Sequence, residues 1–364
     1  ALKCQSNMNN RPWLRNYPPS IPANIDTTQY ETLVDFLKDC FTKYSKLNAF
    51  ECMGKKMTYA EADRLSTQFG AYLHSRGLKP GDRIALMMPN LLQYPIAVFG
   101  ALKAGLIIVN TNPMYTPREM LFQFEDSGVK AIVIVENFAA NLESVISKTQ
   151  IETVIMTSIG EMLGSIKGSI VNFAVRYIKR LVPKYNLSNV VSFSHALEEG
   201  KKFKIKEFQG RASDVIVHQY TGGTTGISKG AMLTNANLVS NMLQIRTWMQ
   251  NYLEEGKEIT LSPLPMYHIF AFSVNCLAML SYGAHTVLVT NARDLSSIVK
   301  EFNRSKISLM TGLNTLFNAL LNNEEFRKCD FSSLKITVGG GMAIQRVVAD
   351  RWKEVTGCPL TEGY

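Results

Sequence analysis

The stretch Tyr-Thr-Gly-Gly-Thr-Thr-Gly-Ile-Ser-Lys-Gly, residues 220–230, decides which fold and chemistry this chain of 364 residues supports. Its glycines let the backbone turn where a Cβ would clash, and they leave amide N–H groups free to converge on an anion. Its threonine hydroxyls are short donors that can also face a metal ion, while Lys229 adds a positive charge on a flexible stem. The segment therefore predicts a loop that holds the phosphates of a nucleoside triphosphate.

The same stretch could also be a Walker phosphate loop or a plain turn. A Walker phosphate loop requires Gly-x4-Gly-Lys followed by Ser or Thr, but Ser228 stands five places after Gly223, and Gly230 follows Lys229. The Walker motif is therefore excluded. A plain flexible turn between two strands would explain the paired glycines, although it gives no reason for the threonines and the lysine, and it stays open at the level of sequence.

Hydrophobic patterning outward from this loop alternates between short β-rich runs and amphipathic helices, which is typical of parallel sheets covered by helices. Thr58, Thr116 and Thr234 each open a predicted helix, and Gly77 and Gly128 close the first two. The predicted strands are 83–88, 106–109, 131–135, 215–219, 261–264, 286–289, 308–311 and 335–338. We therefore expect an α/β fold with two doubly wound, mainly parallel β-sheets that are flanked and separated by helices.

Composition limits the classes of function. Hydrophobic residues make up 46% of the chain, enough for a large core, and the formal net charge of +9 suits an anionic partner such as phosphate groups or a lipid surface. No nucleic-acid-binding motif accompanies the charge, so we expect no nucleic acid partner. The six cysteines lack CxxC spacing, and no apolar run reaches 18 residues. These features predict a cytoplasmic protein.

Residues 167–206 form a basic segment in which apolar side chains alternate with the cations. Helices that lie on anionic lipid show this composition, so the segment is a candidate for peripheral contact with the inner face of a membrane. An ordinary helix with a solvated basic face would show the same charges, and the sequence does not decide between the two.

Four further segments carry a family resemblance, namely 87–95 (MMPNLLQYP), 109–119 (VNTNPMYTPRE), 264–270 (LPMYHIF) and 339–342 (GGGM). Together with residues 220–230 they resemble the adenylate-forming, or AMP-binding, superfamily, and most closely the bacterial long-chain fatty acid-CoA ligases. The resemblance implies an N-terminal extension over 1–27 and an AMP-binding domain over 28–364, with subdomains of about 28–212 and 213–364. It also implies a truncated chain without the small C-terminal domain, and we expect such a fragment to be inactive alone.

The resemblance also implies roles for individual residues. Catalytic roles fall to His268, Lys229 and Thr221, with Mg²⁺ beside Thr221. Nucleotide contacts are implied for Tyr220, Thr221, Gly222, Gly223, Thr224, Thr225, Gly226, Lys229, Gly230, Gly339, Gly340, Gly341 and Tyr364, and substrate contacts for His268, Phe272 and Gly341. His268 need not act as a base, because a carboxylate is already ionised at neutral pH. Ordinary packing remains an alternative for His268 and Phe272, and a tight turn for the glycine triplet.

The implied activity is ATP-dependent ligation of a long-chain fatty acid to coenzyme A through an acyl-adenylate, with ATP, Mg²⁺ and CoA as the small-molecule requirements. The helical stretch after His268 contains no Asp or Glu, which disfavours an amino-acid substrate and favours an aliphatic pocket. Two alternatives remain, a ligase for a medium-chain or aromatic acid and a nucleotide-binding module without turnover. Acyl length and oligomeric state, including a homodimer, are left open.

Overall fold

The structure, a computed structural model, describes residues 11–206, 208–222 and 228–363. Its strands are β1 (Asn48–Cys52), β2 (Lys55–Thr58), β3 (Arg83–Met87), β4 (Ile107–Asn110), β5 (Val129–Val135), β6 (Thr153–Thr157), β7 (Val190–Ser192), β8 (Val215–Thr221), β9 (Lys229–Thr234), β10 (Ile259–Ser262), β11 (His285–Leu288), β12 (Leu309–Gly312), β13 (Ile336–Gly339) and β14 (Leu360–Glu362). They form two seven-stranded sheets, ordered β14-β13-β12-β10-β11-β1-β2 and β7-β6-β5-β3-β4-β8-β9.

The α-helices surround these sheets. They are α1 (Leu33–Lys43), α2 (Tyr59–Ser75), α3 (Gln93–Lys103), α4 (Pro117–Ser127), α5 (Ala139–Val145), α6 (Ser165–Phe173), α7 (Phe193–Gly200), α8 (Asn235–Met249), α9 (Ile269–Ala271), α10 (Leu295–Arg304), α11 (Asn314–Leu321), α12 (Glu324–Arg327) and α13 (Arg346–Thr356). Short 3-10 helices lie at Pro12–Asn16, Glu136–Phe138, Ile146–Lys148 and Ala278–Tyr282, and π-helical turns follow α6 at Ala174–Ile178 and α9 at Phe272–Leu277.

The predicted fold class is confirmed. Strand pairing is parallel throughout both sheets except for β1 with β2 and β8 with β9, which are antiparallel. The subdomain boundary predicted near residue 212 does not separate the sheets, because β8 and β9 join the sheet of residues 83–192, whereas β1 and β2 join the sheet of residues 259–362. Each sheet is therefore assembled from segments on both sides of the predicted boundary.

Side chains distant in sequence anchor β1 in its sheet. Glu51 on this strand is fully buried and lies 3.0 Å from His285 Nε2, and Arg304 donates a hydrogen bond to its other oxygen. Burial acts to raise the pKa of Glu51, but the nearby His285 ring and the hydrogen bond and charge of Arg304 outweigh it and bring the pKa to about 2. The strand is thus held by an ionised carboxylate whose partners come from β11 and α10.

Two helices pack closely between the sheets at glycines. A Cβ on Gly100 of α3 would lie 2.7 Å from the carbonyl oxygen of Ser66 on α2, and one on Gly70 would lie 2.8 Å from the carbonyl oxygen of Gly100. Helix α3 is buried along almost its whole length. Helix α2 contacts β1 and β2 of one sheet and α3 contacts β3 and β4 of the other, so this close pair of helices separates the sheets.

The predicted helix starts are confirmed as capping boxes. The hydroxyls of Thr58, Thr116 and Thr234 each accept from the backbone N–H three residues later. Gly128 ends α4 in the left-handed conformation, with φ of 60°. Across the described ranges, the helices include none that is both long enough and apolar enough to cross a bilayer.

Candidate active site

The predicted phosphate loop connects the two strands of a hairpin. Strand β8 ends at Thr221 and pairs with β9 so that Thr221 lies opposite Lys229 and Tyr220 opposite Gly230. Ser228 donates a hydrogen bond from Oγ to the carbonyl oxygen of Thr221 at 3.0 Å, which draws the two ends of the loop together. Residues Gly223, Thr224, Thr225 and Gly226 lie outside the described part of the chain. The described ends of the segment, Thr221, Gly222 and Ser228, line a cavity, and the turn and ligand-loop interpretations both stay predictions.

Tyr220 fixes the base of this hairpin. Its hydroxyl donates to Asp126 Oδ2 at 2.6 Å, which ties β8 to α4. Burial, and then the carboxylate of Asp126, raise the pKa of Tyr220 above its ordinary value, so the phenol stays protonated and keeps donating. A Cβ on Gly230 would lie 2.8 Å from the Tyr220 ring. The glycine thus allows the aromatic ring to pack flat against the partner strand.

The hairpin and the loop that carries His268 line one cavity of about 1070 Å³. Thr221, Gly222 and Ser228 contribute from the hairpin, and Leu264, Pro265, Tyr267 and His268 from the loop after β10. His268 faces this space, and its partial removal from water lowers its pKa below the ordinary value of 6.5. The imidazole is therefore neutral at pH 7, as an orienting or hydrogen-bonding group requires.

A chain of buried amides holds the His268 loop in place. Asn90 Nδ2 donates to the carbonyl oxygens of Ser262 and Leu264 at 3.1 and 2.8 Å, and its Oδ1 accepts from the backbone N–H of Met266 at 2.8 Å. The Tyr94 hydroxyl lies 2.9 Å from the Met266 carbonyl oxygen. Both residues come from the segment 87–95, so this segment holds the loop 264–270 in place by direct hydrogen bonds.

The same network reaches the hairpin. Asn110, at the end of β4, has its Oδ1 2.6 Å from the Tyr94 hydroxyl and donates from Nδ2 to Gln219 Oε1 at 3.0 Å. Gln219 in turn donates to the carbonyl oxygen of Tyr267 at 3.0 Å. Because Gln219 precedes Tyr220 and Tyr267 precedes His268, one side chain links the hairpin to the histidine loop. These amides were not among the predicted site residues.

The glycine triplet lies at the carboxyl end of β13, as predicted. A Cβ on Gly340 would lie 2.8 Å from the carbonyl oxygen of Gly363 and 3.1 Å from the Phe270 ring, and Gly341 has φ of 75°. Gly341 lines the cavity, and Gly339 and Gly340 do not. Tyr364, the predicted aromatic partner of this segment, lies outside the described residues.

Other predicted residues take different positions. Phe272 is fully buried in the core, so the cavity wall at this turn is formed by Ile269, Phe270 and Ala271 instead. Lys229 is exposed at the start of β9 and is not part of the cavity lining. Tyr115 and the first turns of α4 supply a wall that sequence reasoning missed, with Arg118, Glu119, Phe122 and Gln123 from the helix in the lining. The quoted segment 109–119 contained three of these five residues, which was the available signal.

Two mostly parallel sheets, a Gly/Thr hairpin and a histidine loop that share one cavity define the adenylate-forming class of α/β enzymes. Residues 37–364 match the family model described as "AMP-binding enzyme", and the chain belongs to this family.

Curated relatives agree with this assignment. The chain is 50% identical over 353 residues to the long-chain-fatty-acid–CoA ligase of Salmonella typhimurium and 46% identical over 355 residues to that of Haemophilus influenzae. Each match covers 97% of this chain and 63% of the relative, so the chain spans less than two thirds of these relatives' length.

Among solved structures, the anthranilate CoA ligase AuaEII superposes with a TM-score of 0.78 at 20% identity, covering 93% of this chain and 62% of that one. A long-chain-fatty-acid-CoA ligase from Archaeoglobus fulgidus gives 0.78 at 19% identity, covering 96% and 66%. At this level of identity, the two solved structures support only the fold of this chain and not its activity.

Proposed function

We propose that the whole protein is a long-chain fatty acid-CoA ligase, which activates a fatty acid with ATP to acyl-AMP and pyrophosphate and then transfers the acyl group to CoA. The observation that carries the proposal is the shared cavity, in which the Gly/Thr hairpin and His268 line one space. Relatives that are about half identical in sequence carry the name of this activity. The 364 residues supply the nucleotide and acyl sites in this proposal, and thioester formation requires a protein of the relatives' full length.

In adenylation the protein would mainly stabilise, by electrostatic interactions, the negative charge of the transition state. The fatty acid carboxylate attacks the α-phosphorus of ATP, and pyrophosphate leaves as negative charge accumulates on the transferring group. The hydroxyl of Thr221, which is exposed at the end of β8, would donate a hydrogen bond to a phosphate. Lys229, exposed at the start of β9, would extend its ammonium group toward the phosphates. Each charge-assisted hydrogen bond of this kind contributes roughly 1.5–3 kcal/mol. Gly222 and the four loop glycines and threonines that follow it are the remaining proposed phosphate contacts.

The proposed Mg²⁺ position is beside Thr221. Magnesium keeps most of its ligands as water and substrate phosphates and uses only one or two protein oxygens. The exposed Thr221 hydroxyl fits this pattern, since the described residues contain no group of three or more His, Cys, Asp or Glu side chains that could hold an ion by themselves. When bound, the ion would neutralise phosphate charge.

The acyl chain is proposed to lie along the apolar part of the cavity wall. Leu264, Ile269, Phe270, Ala271 and Leu313 line this part, whereas Phe272 packs behind it. An aliphatic chain gains about 25 cal/mol per Å² of apolar surface removed from water. Neutral His268, at the junction of the polar and apolar walls, would orient the carboxylate by donating a hydrogen bond, and the glycine turn at 339–341 would accommodate the adenine. The protein is proposed to work in the cytoplasm, with peripheral contact to an anionic membrane through residues 167–206.

The test is ATP–pyrophosphate exchange by the full-length protein, with palmitate, oleate, octanoate or benzoate as the acid. We expect exchange that depends on palmitate or oleate, and thioester formation when CoA is added. Exchange that is faster with octanoate or benzoate would reassign the acid, and ATP binding without exchange for any acid would identify a passive nucleotide-binding module. His268→Ala should reduce exchange with little change in ATP binding. Asn251→Ala, at an exposed residue that does not line the cavity, serves as its control.

A further inference from the structure

Helix α6 and the π-helical turn after it turn their apolar side chains outward. Ile166, Ile170, Phe173, Tyr177 and Leu181 recur at helical spacing and, with Ile178, are 52–78% exposed. The Phe173 and Tyr177 rings lie 5.1 Å apart, so they form one continuous surface. An amphipathic helix in a globular protein normally buries such a row, and a patch of this kind marks an interaction site.

The inward side of the same segment is small and polar. Gly168 packs on Gly160, where an added Cβ would lie 2.3 Å from a backbone oxygen. Asn172 accepts from the Gly160 N–H at 2.8 Å, and Arg176 forms a two-point ion pair with buried Glu136, at 2.9 and 2.6 Å. These contacts fix the helix orientation. The packing of the inward side therefore determines that the apolar row faces outward.

The charged side chains of the segment itself all have one sign. Residues 162–197 contain five Lys or Arg and no Asp or Glu. Lys179, Arg180 and Lys184 lie at the C-terminal end of the apolar row, on either side of Leu181 in the sequence, and none of them forms an ion pair with any residue in the described ranges. Lys201 and Lys202, further along the basic segment, are instead paired with Glu198 and Glu199 at 2.5 Å. The free positive charge thus lies beside the apolar row.

We infer that residues 165–184 form the membrane-contacting surface of this protein, and that an anionic lipid bilayer covers it. The inference narrows the membrane contact proposed above for residues 167–206 and rests on it, but it does not depend on the ligase reaction. The exposed row would enter the boundary between headgroups and acyl chains, and Lys179, Arg180 and Lys184 would meet lipid phosphates. Exposed aliphatic and aromatic side chains combined with cations alone are the composition of helices that lie on anionic lipid.

The experiment is flotation of the protein with lipid vesicles in the absence of ATP. Ile170→Glu removes one exposed side chain from the row, and Val347→Glu makes the same change in charge at a site of matched exposure, 69% against 64%, on α13. The double variant Lys179→Glu with Arg180→Glu is matched by Lys201→Glu with Lys202→Glu. Vesicles of phosphatidylcholine containing about 30 mol% phosphatidylglycerol provide the anionic surface, and pure phosphatidylcholine provides the neutral one.

We expect the unmodified protein to float with anionic vesicles, and about tenfold weaker partitioning for Ile170→Glu and for the 179/180 variant. Both matched controls should bind like the unmodified protein, and neutral vesicles should bind it about tenfold or more weakly. Thermal melting should be nearly unchanged in every variant, because all the replaced side chains are exposed and exposed ion pairs contribute little. Equal losses in variants and controls would overturn the inference, as would absence of flotation or a concentration-dependent dimer that Ile170→Glu disperses. Failure of pyrophosphate exchange would leave the flotation result unaffected.

Discussion

Replacing Asn90 by leucine should destabilise the protein by several kcal/mol, because Asn90 holds the backbone that leads to His268. The side chain is only 2% exposed and forms three hydrogen bonds with the segment 262–266. The Ser262 carbonyl keeps a second partner, the N–H of Val289 at 3.1 Å, whereas the Leu264 carbonyl and the Met266 N–H have no other hydrogen bond to the described residues. Two buried groups left unpaired cost about 1–3 kcal/mol each, or about 2–6 kcal/mol together.

The assay is urea unfolding followed by tryptophan fluorescence, with Asn251→Leu as the surface control, expected to lie within about 0.5 kcal/mol of the unmodified protein. In the full-length protein, Asn90→Leu should also lower the rate of pyrophosphate exchange, because the loop that carries His268 loses its support. A loss of stability below about 1 kcal/mol would refute the reasoning, since it would mean that water satisfies both groups at no cost.

A second substitution at Asn90 should make the free energy of unfolding depend on pH. Asn90→Asp keeps an acceptor for the Met266 N–H but turns a carboxylate oxygen toward the Leu264 carbonyl, and burial should raise the pKa of the new carboxyl above its unfolded value. The folded state then binds a proton more tightly than the unfolded state, so the variant should gain stability as pH falls from 7 toward 5. A destabilisation that does not change with pH would show that the two oxygens do not face each other.

Three further outcomes are expected. Lys229→Ala should weaken ATP binding without changing the urea midpoint, since this lysine is exposed, and loss of the cooperative transition would reveal a structural lysine. Gly230→Ala should cost about 1–3 kcal/mol and loosen nucleotide binding, because its Cβ would lie 2.8 Å from the Tyr220 ring; a fully stable variant would contradict that packing. Glu51, with a folded pKa of about 2 against an ordinary value of 4.5, contributes at most about 3 kcal/mol above pH 4.5 that is lost as pH falls toward 2. Acid titration of stability should show this loss, and Glu51→Gln should flatten the titration between pH 4.5 and 2.

Local signals in the sequence predicted local structure well. The capping residues Thr58, Thr116 and Thr234 act through partners three residues away, so their pattern can be recognised without a fold. Strand β1 was missed, because it pairs with β11 from the other end of the chain. Strand β9 was also missed, since its largely exposed residues show no apolar run.

The site divides in the same way. The position of the Gly/Thr segment at the end of a strand could be predicted, because the β-rich run 215–219 directly precedes it. Asn90 and Gln219 could not be predicted, because a buried amide and a solvated amide look alike in a sequence until their partners are known. For α6, periodicity showed an amphipathic helix but could not show that its apolar side faces outward, because direction depends on what packs against the other side.

The quoted segments are far apart in sequence, yet they meet because each begins at or near the carboxyl end of a parallel strand. Asn90 follows β3, Asn110 ends β4, Gln219 lies near the end of β8, and the His268 loop follows β10. Ligands bind in open α/β sheets at such strand ends, where backbone groups that leave the sheet need new partners. Buried amides supply those partners here, and each would be costly alone because its own donors and acceptors also need satisfying. The hairpin and the histidine loop therefore support each other through Gln219. A substitution that displaces one of them should also displace the other, because both are hydrogen-bonded to this network of amides.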